Sequence, residues 1–425
     1  MSTTPVAPLP DVEEFETDAA AWLRANAAAR PAGDDAGELV WGSGDFNVSV
    51  FHNLSFDEER SLLEQLRTWN RKKAERGYHA IRWPVEYGGL GLGMAHTRAY
   101  QRLEAGHVTP DGHELFSVTT GLIAQTVRTF GTPDQCARFI GPLLRTDIYA
   151  CQLFSEPGAG SDLASLGCRA VADGDEWVVD GQKVWSSGAQ FSDWGLLIAR
   201  TDVDAPKHKG LTAFMVPFAT SGIDVRPIKQ MSGGASFNEV FFSGARVPDS
   251  MRLGAIGDGW RVALTALGFE RDHSSGGGSG NRVGGSSAKV RATAEAFDRE
   301  RDPIVRARLV DQHIHSTVER LMSRRAGDNA RGGTPGPEAS LGKLMWTEGM
   351  RQLSDVASVV LGPRLVADTG EWGSYAWGEH VLGAPGYRIA GGSDEIQRNI
   401  IGERVLGLPG EPRVDKDRPW RDIPR

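Results

Sequence analysis

Gln152-Leu-Phe-Ser-Glu-Pro-Gly-Ala-Gly-Ser-Asp162 and, 23 residues beyond Asp162, Trp185-Ser-Ser187 are the stretches whose joint reading decides the fold. Pro157-Gly158 and the second glycine at 160 force a tight loop. Ser161 and the free amides around Gly158 and Gly160 offer that loop's hydrogen bonds to a pyrophosphate. The second stretch supplies an aromatic slab and two hydroxyls. The chain has 53 glycines, most of which must serve turns, so a Gly-rich loop alone says little. Joined to an indole and hydroxyls, it is the chemistry of a flavin site.

Outward from these stretches, short β-type runs fill residues 150–255: Cys168–Val171, Trp177–Val179, Trp194–Ala199 and Leu211–Val216. Asp173-Gly174 and Asp180-Gly181 read as hairpin turns between such runs, which predicts an antiparallel β domain, a barrel or sandwich. Before it, apolar residues recur at helical spacing over Val12–Arg30, Phe56–Arg76, Met94–Ala105 and Leu115–Phe130. Ser55-Phe-Asp-Glu58 offers an N-cap with acidic first-turn residues. Residues 1–149 are therefore expected to form a helical domain. Helical periodicity returns over Arg261–Phe269, Lys289–Phe297, Ile304–Arg325, Ser340–Val360 and Asp394–Leu406, which predicts a helical bundle over 256–410. The fold class is mainly α with a central β domain. Ser274–Ser287 carries six glycines and five serines. At roughly 1 kcal/mol per interior glycine, a helix there is interrupted or weakened. Residues 411–425, rich in Pro and charge, are expected to be a loose tail or to wrap a partner subunit.

The chain of 425 residues is 40% hydrophobic, enough for two or three domains with substantial cores. A net charge of −8 indicates no general attraction to nucleic acid or an anionic membrane. Cys136, Cys151 and Cys168 stand at spacings unlike a zinc or disulfide framework, so three free thiols in a reducing compartment are expected. The N-terminus reads as neither a secretory signal nor a transit peptide, and no apolar run approaches a membrane span, which gives an expected cytoplasmic location. No metal site is expected, since His313 and His315 fall on different sides of a helix. The Gly89–Gly93 run lacks the register of a dinucleotide fingerprint, and Leu341-Gly-Lys-Leu344 lacks the hydroxyl of a phosphate-binding loop.

The first stretch, together with Gly181-Gln-Lys-Val-Trp-Ser-Ser187, resembles the two flavin-binding signatures of the acyl-CoA dehydrogenase family. Trp83-Pro-Val-Glu-Tyr-Gly-Gly-Leu-Gly91, Phe237-Asn-Glu-Val-Phe-Phe242 with Val247-Pro248, and Gly392-Ser-Asp-Glu-Ile-Gln-Arg398 extend the resemblance from about residue 80 to 409. It implies an FAD flavoprotein that takes the α-proton of an acyl-CoA thioester while a hydride leaves the β-carbon, with electrons passing to an electron-transferring flavoprotein. It also implies site roles. Gln152, Phe154 and Ser155 would meet the flavin ring, Gly160 and Ser161 the pyrophosphate, and Ser161 the substrate as well. Trp185 would lie against the isoalloxazine and Ser187 would donate toward N5, where a donor stabilises the reduced flavin. Gly392, Ser393 and Glu395 match the loop that touches the adenosine half of FAD, although Ser393 as a plain helix N-cap would look the same. A local basic patch would suit a CoA phosphate.

In the family the base is a glutamate in one of two places. Gly391 occupies the first. Glu270, in Leu267-Gly-Phe-Glu-Arg271, fits the second, and its apolar neighbours Ala263, Leu264, Ala266, Leu267 and Phe269 would raise its pKa toward neutrality. The competing reading is a salt bridge with Arg271 or a neighbouring helix. Arg271 is in turn a substrate-side contact or positioner of the base, or a surface charge. Two departures stand out: Arg301-Asp-Pro-Ile-Val-Arg306 where the family carries an Arg-x-x-Phe-Gly segment, and Leu361-Gly-Pro-Arg364 where it carries a Gly-Gly loop. They resemble the heterotetramer-forming branch, in which a homologous chain completes the FAD site, so a homo- or hetero-oligomer with a homologous chain, a tetramer, is expected. Two rival functions stay open: a non-catalytic subunit supporting a partner's site, and a flavin oxidase or monooxygenase on the same fold.

Overall fold

The computed structural model describes residues 9–31, 48–51, 53–275, 284–329, 336–367, 376–412, 415 and 417–423. The N-terminal region forms α1 (Val12–Asn26), α2 (Phe56–Ala74), α3 (Met94–Glu104), α4 (Glu114–Ser117), α5 (Ala124–Phe130) and α6 (Pro133–Leu144). Ser55 opens α2 with the full capping box, its hydroxyl accepting from the Glu58 amide while Glu58 reaches back to the Ser55 amide. The expected helix over Leu115–Phe130 is there, but a π turn at Val118–Ile123 separates α4 from α5. A 3.6-residue period cannot signal that inserted turn, and π turns gather at functional sites. Helix α6 was not expected, although Thr132 and Gln135 form a capping box around a proline at the first helical position.

The middle region forms β1 (Ala150–Leu153), β2 (Arg169–Asp173), β3 (Glu176–Lys183), β4 (Trp194–Arg200), β5 (Leu211–Pro217), β6 (Ile223–Ile228), β7 (Phe237–Pro248) and β8 (Arg252–Leu253). Their order is β6-β7-β3-β2-β4-β5-β8, with β1 added beside β4. The central β domain is as expected, but the sheet is mixed rather than antiparallel. Strand β1 runs parallel to β4 from Ala150↔Trp194 to Leu153↔Leu197, and β2 meets β4 in parallel at Arg169↔Arg200. Strands β4 and β5 are buried almost throughout, and a continuous apolar run carries no information about a neighbour's direction. The Asp173-Gly174 turn joins β2 to β3 as expected. Asp180-Gly181 does not turn the chain: it lies inside β3, where the register with β7 slips between Val179 and Gly181. Gly181 has φ 147, and a Cβ there would sit 2.7 Å from the Cys168 Cα, so glycine serves a bulge and a close approach.

The C-terminal region forms α7 (Gly259–Ser275), α8 (Ser287–Ala296), α9 (Pro303–Asn329), α10 (Ala339–Leu361), α11 (Ala376–Tyr387) and α12 (Asp394–Ile400), the last continued by a π turn at Ile401–Val405. In the Gly-Ser stretch α7 ends at Ser275 and α8 begins at Ser287 under the Ser286 cap, while 276–283 lie outside the described residues. Helix α11 was not expected, because Gly378, Gly383, Pro385 and Gly386 erase its helical signal. It belongs to the bundle's centre all the same. Trp377 is fully buried with its indole N–H donating to Thr293 Oγ1 at 2.9 Å, and the His380 ring lies 3.2 Å from the carbonyls of both Val48 and Met350.

The described residues of the C-terminal tail around Trp420 lie on this chain's own middle domain rather than loose. Trp420 is buried and donates from Nε1 to the Ser165 carbonyl at 3.1 Å, and its amide and that of Arg421 bond to Ala205 and Val203. The Arg200 guanidinium stands 4.7 Å from the Trp420 ring centroid. All three cysteines are free and buried. Among the described residues no helix is long and apolar enough to cross a membrane.

Candidate functional site

Strand β1 carries Gln152 and leads into Phe154, and the chain then turns through Glu156, whose backbone pairs with Ala159 in both directions at 3.0 Å. What holds this turn is an ion pair that sequence reading did not assign. Lys183, at the end of β3 with a fully buried side chain, donates to the Phe154 carbonyl at 2.9 Å and to Glu156 Oε1 at 2.8 Å. The same carboxylate accepts the amides of Gly167 at 2.7 Å and Cys168 at 2.8 Å. One residue on, the Val184 amide bonds to the Ser155 carbonyl at 2.9 Å. These bonds bring Gln152, Phe154 and Ser155 together with Trp185 and Ser187. A signal existed, since Lys183 follows the alternation of β3 onto its buried face.

The residues after Lys183 are held from β7. The Ser186 amide bonds to the Asn238 carbonyl and the Gly188 amide to that of Ser236, both at 3.1 Å, while Asn238 Nδ2 donates back to the Ser186 carbonyl at 2.9 Å. This is the physical content of the Phe237-Asn238 motif. Trp185 then adopts φ 62, a left-handed conformation rare for a bulky residue, and leaves its indole 59% exposed. Strain of this kind persists only where the surroundings impose it, and it gathers at ligand sites. Phe237 braces the indole edge-on with ring centroids 5.9 Å apart.

Three features fit a flavin nucleotide here. Gln152 Nε2 and Ser186 Oγ are buried with no hydrogen-bond partner, and orphaned buried polar atoms cost free energy unless a ligand meets them. Space beside Gly158 and Gly160 is open, so a phosphate can approach their backbone. Ser161 is exposed at the same loop, and a broad apolar face, Trp185, stands uncovered.

Beyond the loop, Asp162 accepts from Lys207 at 2.8 and 3.0 Å, and Lys207 also pairs with Asp415 of the tail at 2.5 Å. A recess of about 350 Å³ between loop and tail is lined by Glu156, Gly158, Asp162, Ser165 and Trp420. The tail is thus a strap over the back of the loop. Trp420→Ala is expected to free it: limited proteolysis then clips the C-terminus first, and the lost indole bond costs ~1 kcal/mol of the tail's attachment. Unchanged protection of the C-terminus would show that the strap holds without the indole.

The remaining expected site residues stand in the bundle. Gly391 and Gly392 have φ 64 and 87, and Ser393 caps α12, its hydroxyl accepting from the Ile396 amide, so the N-cap reading holds. Glu395 is exposed in the first turn. Buried Asp394 ties the segment to α10 through Thr347 at 2.9 Å and to Arg388 at 2.7 Å. Gly392, Ser393 and Glu395 are therefore anchored to the bundle, not to the β1 loop. Glu270 and Arg271 lie within α7, and their side chains fall outside the described residues. Helix α7 packs against the π turn, α5, α10 and strands β4 and β5, with Val262, Ala263 and Ala266 fully buried and Leu264 turned outward.

Three domain descriptions match the chain in order: acyl-CoA dehydrogenase N-terminal domain over residues 54–147, middle domain over 151–245 and C-terminal domain over 257–406. The chain is 38% identical over 409 residues to the acyl-CoA dehydrogenase IpdE1 of Mycobacterium tuberculosis, covering 95% of this chain and 99% of that one. It is 38% identical over 338 residues to the acyl-CoA dehydrogenase FadE34 of the same organism, covering 79% of this chain and 45% of that one. Among solved structures, the Tcur3481-Tcur3483 steroid ACAD superposes with a TM-score of 0.68 at 26% identity, covering 95% of this chain and 100% of that one.

Proposed function

The chain belongs to the acyl-CoA dehydrogenase family, oxidoreductases acting on the CH–CH group of acyl-CoA, and from that membership we propose FAD-dependent α,β-desaturation with Glu270 as base. The observation that carries the reading is the strained, exposed indole of Trp185, together with the orphaned amide of Gln152. Bound FAD would supply the hydride acceptor.

Each residue's part follows from its chemistry. The amides around Gly158 and Gly160, with Ser161, would hold the pyrophosphate of a bound FAD. Trp185 would lie against its ring, with Gln152, Phe154 and Ser155 holding the ring in place. The Ser187 hydroxyl would serve as a donor to the flavin, where such a donor stabilises the reduced form. Glu270 takes the α-proton from the side of α7, and the packed π turn and α7 limit water at the reacting carbons. Arg271, next on the helix, is proposed to contact the substrate or hold the base. The acyl group proposed is a steroid-derived one, following the substrate named for the 26%-identical pair. Anaerobic reduction of the flavin by a panel of acyl-CoA thioesters tests the reading. Dye-coupled turnover exceeding oxygen uptake supports a dehydrogenase, and oxygen as the better acceptor would sink it in favour of an oxidase.

A second chain enters the proposal through α9. Val310, Ile314, Val318 and Leu321 are exposed at 50%, 55%, 44% and 54%, at spacings that align them on one helix face. An uncovered apolar stripe of this length marks an interface, here with a homologous subunit, while an electron-transferring flavoprotein takes the electrons. Ile314→Lys with Val318→Lys is expected to lower the mass found by light scattering on a sizing column. An unchanged mass would remove α9 from the interface.

A further inference from the structure

Four residues ahead of α2, Val48-Ser-Val-Phe51, have no part in the mechanism, yet they are locked into the C-terminal bundle. Val48 and Val50 are fully buried. The His380 ring meets the Val48 carbonyl at 3.2 Å, the Gly284 amide donates to the Ser49 carbonyl at 3.2 Å, and the Ser49 hydroxyl donates to the Glu379 carboxylate. Two glycines of α11 admit the segment. A Cβ at Gly383 would stand 2.9 Å from Val50 Cβ, and one at Gly386 would stand 2.8 Å from Phe51 Cζ.

Phe51 is where this anchored segment reaches the site. Its ring stacks on Tyr387 of α11, with centroids 5.1 Å apart and planes 16° from parallel, and Tyr387 packs against Trp346 of α10 at 4.7 Å. The same ring meets Phe237 edge-on at 5.3 Å and 77°, and Phe237 meets the Trp185 indole at 5.9 Å and 83°. A continuous row of rings thus runs from the bundle to the exposed indole. Edge-on ring contacts are directional, so a ring held on one side sets the angle of the next. Trp185 needs such support, because its φ of 62 persists only where the surroundings impose it, and 59% of its surface is open.

We propose that Phe51 is a positioning residue for Trp185: in contact with both Tyr387 and Phe237, it transmits the placement of α10 and α11 to the indole. This rests on the reading of Trp185 as the residue against the flavin ring. Phe51 acts through Phe237, whose ring braces the indole while the carbonyl of the next residue, Asn238, holds the Ser186 amide. Helix α7, which carries Glu270, packs against α10, and α10 packs against α11. The proposed base and the indole therefore take their positions from the same helices, and Phe51 is the side chain that ties the second to them.

Two measurements test the proposal. In the cofactor-free protein labelled with 5-fluorotryptophan, the fluorine-19 resonance of Trp185, assigned by its absence in Trp185→Phe, is expected to shift in Phe51→Ala. Gly386→Ala keeps the Phe51 ring, sets a methyl against it, and is expected to move the same resonance. A Trp185 resonance unmoved in both variants overturns the proposal. In the FAD-loaded protein without substrate, the visible flavin dichroism is expected to change in Phe51→Ala and in Phe237→Leu. Phe51→Ala added to Phe237→Leu is expected to change it no further, since the route to the indole is already cut. Additive changes, or none in Phe51→Ala, overturn the proposal as well. A protein that fails to bind FAD strikes the proposed function and leaves the fluorine measurement decisive for Phe51.

Discussion

Glu270→Gln is expected to keep FAD bound and to slow flavin reduction by acyl-CoA by about 10²–10⁴-fold, the range general-base catalysis supplies. The substitution keeps the size of the side chain and removes its ability to take a proton, so packing in α7 is left alone. Two observations make this residue the one to change. The family's other base position holds Gly391, which has no side chain. Helix α7 is wedged between the sheet and the π turn, with Val262, Ala263 and Ala266 buried around its inner face. Stopped-flow reduction under argon measures it: Glu270→Gln removes the fast phase at every pH. A Glu270→Gln protein that reduces its flavin at the wild-type rate would end the assignment and return the non-catalytic reading to the front.

How far the sequence carries depends on the distance over which each device acts. Local devices are legible: the Ser55 and Glu58 capping box, the Gly174 hairpin and the turn at Pro157-Gly158 each form from neighbours in the chain. Asp180-Gly181 looked like another hairpin because the dipeptide is the same, yet only the approach of Cys168 decides that it is a bulge. The π turn leaves no periodic trace, since one inserted turn disturbs the helical period without replacing it. The pair that locks the site is farther apart still: Lys183 and Glu156 are 27 residues from each other. Motif resemblance named Gln152, Phe154, Ser155, Trp185 and Ser187, which the fold brings together at the end of β1. It did not find the ones that hold them, because holding is done by tertiary contacts no spacing rule records.

Lys183→Met is accordingly expected to be the most destabilising single change in the middle domain, by ~3–5 kcal/mol, the usual cost of stripping one partner from a buried ion pair. The Lys183 side chain is 0% exposed and that of Glu156 is 11%, so neither charge can turn to water when left alone. Methionine fills most of the lysine's volume, which limits any cavity contribution and leaves the lost charge and the two lost hydrogen bonds as the cause. The unpaired carboxylate still accepts the Gly167 and Cys168 amides, so the far end of the loop stays anchored. The end at Phe154 loses its lysine bond, and that is the end bearing Ser155 and leading to Trp185 through Val184. FAD affinity should therefore fall together with stability. Glu156→Gln in the same chain removes the uncompensated charge and is expected to restore part of the stability, because the amide oxygen can still accept from one of the two backbone donors. Urea unfolding of the single and double variants measures both effects. A single variant as stable as the wild type would mean that the loop is held by its backbone bonds alone, and that the pair at its centre contributes no net stability.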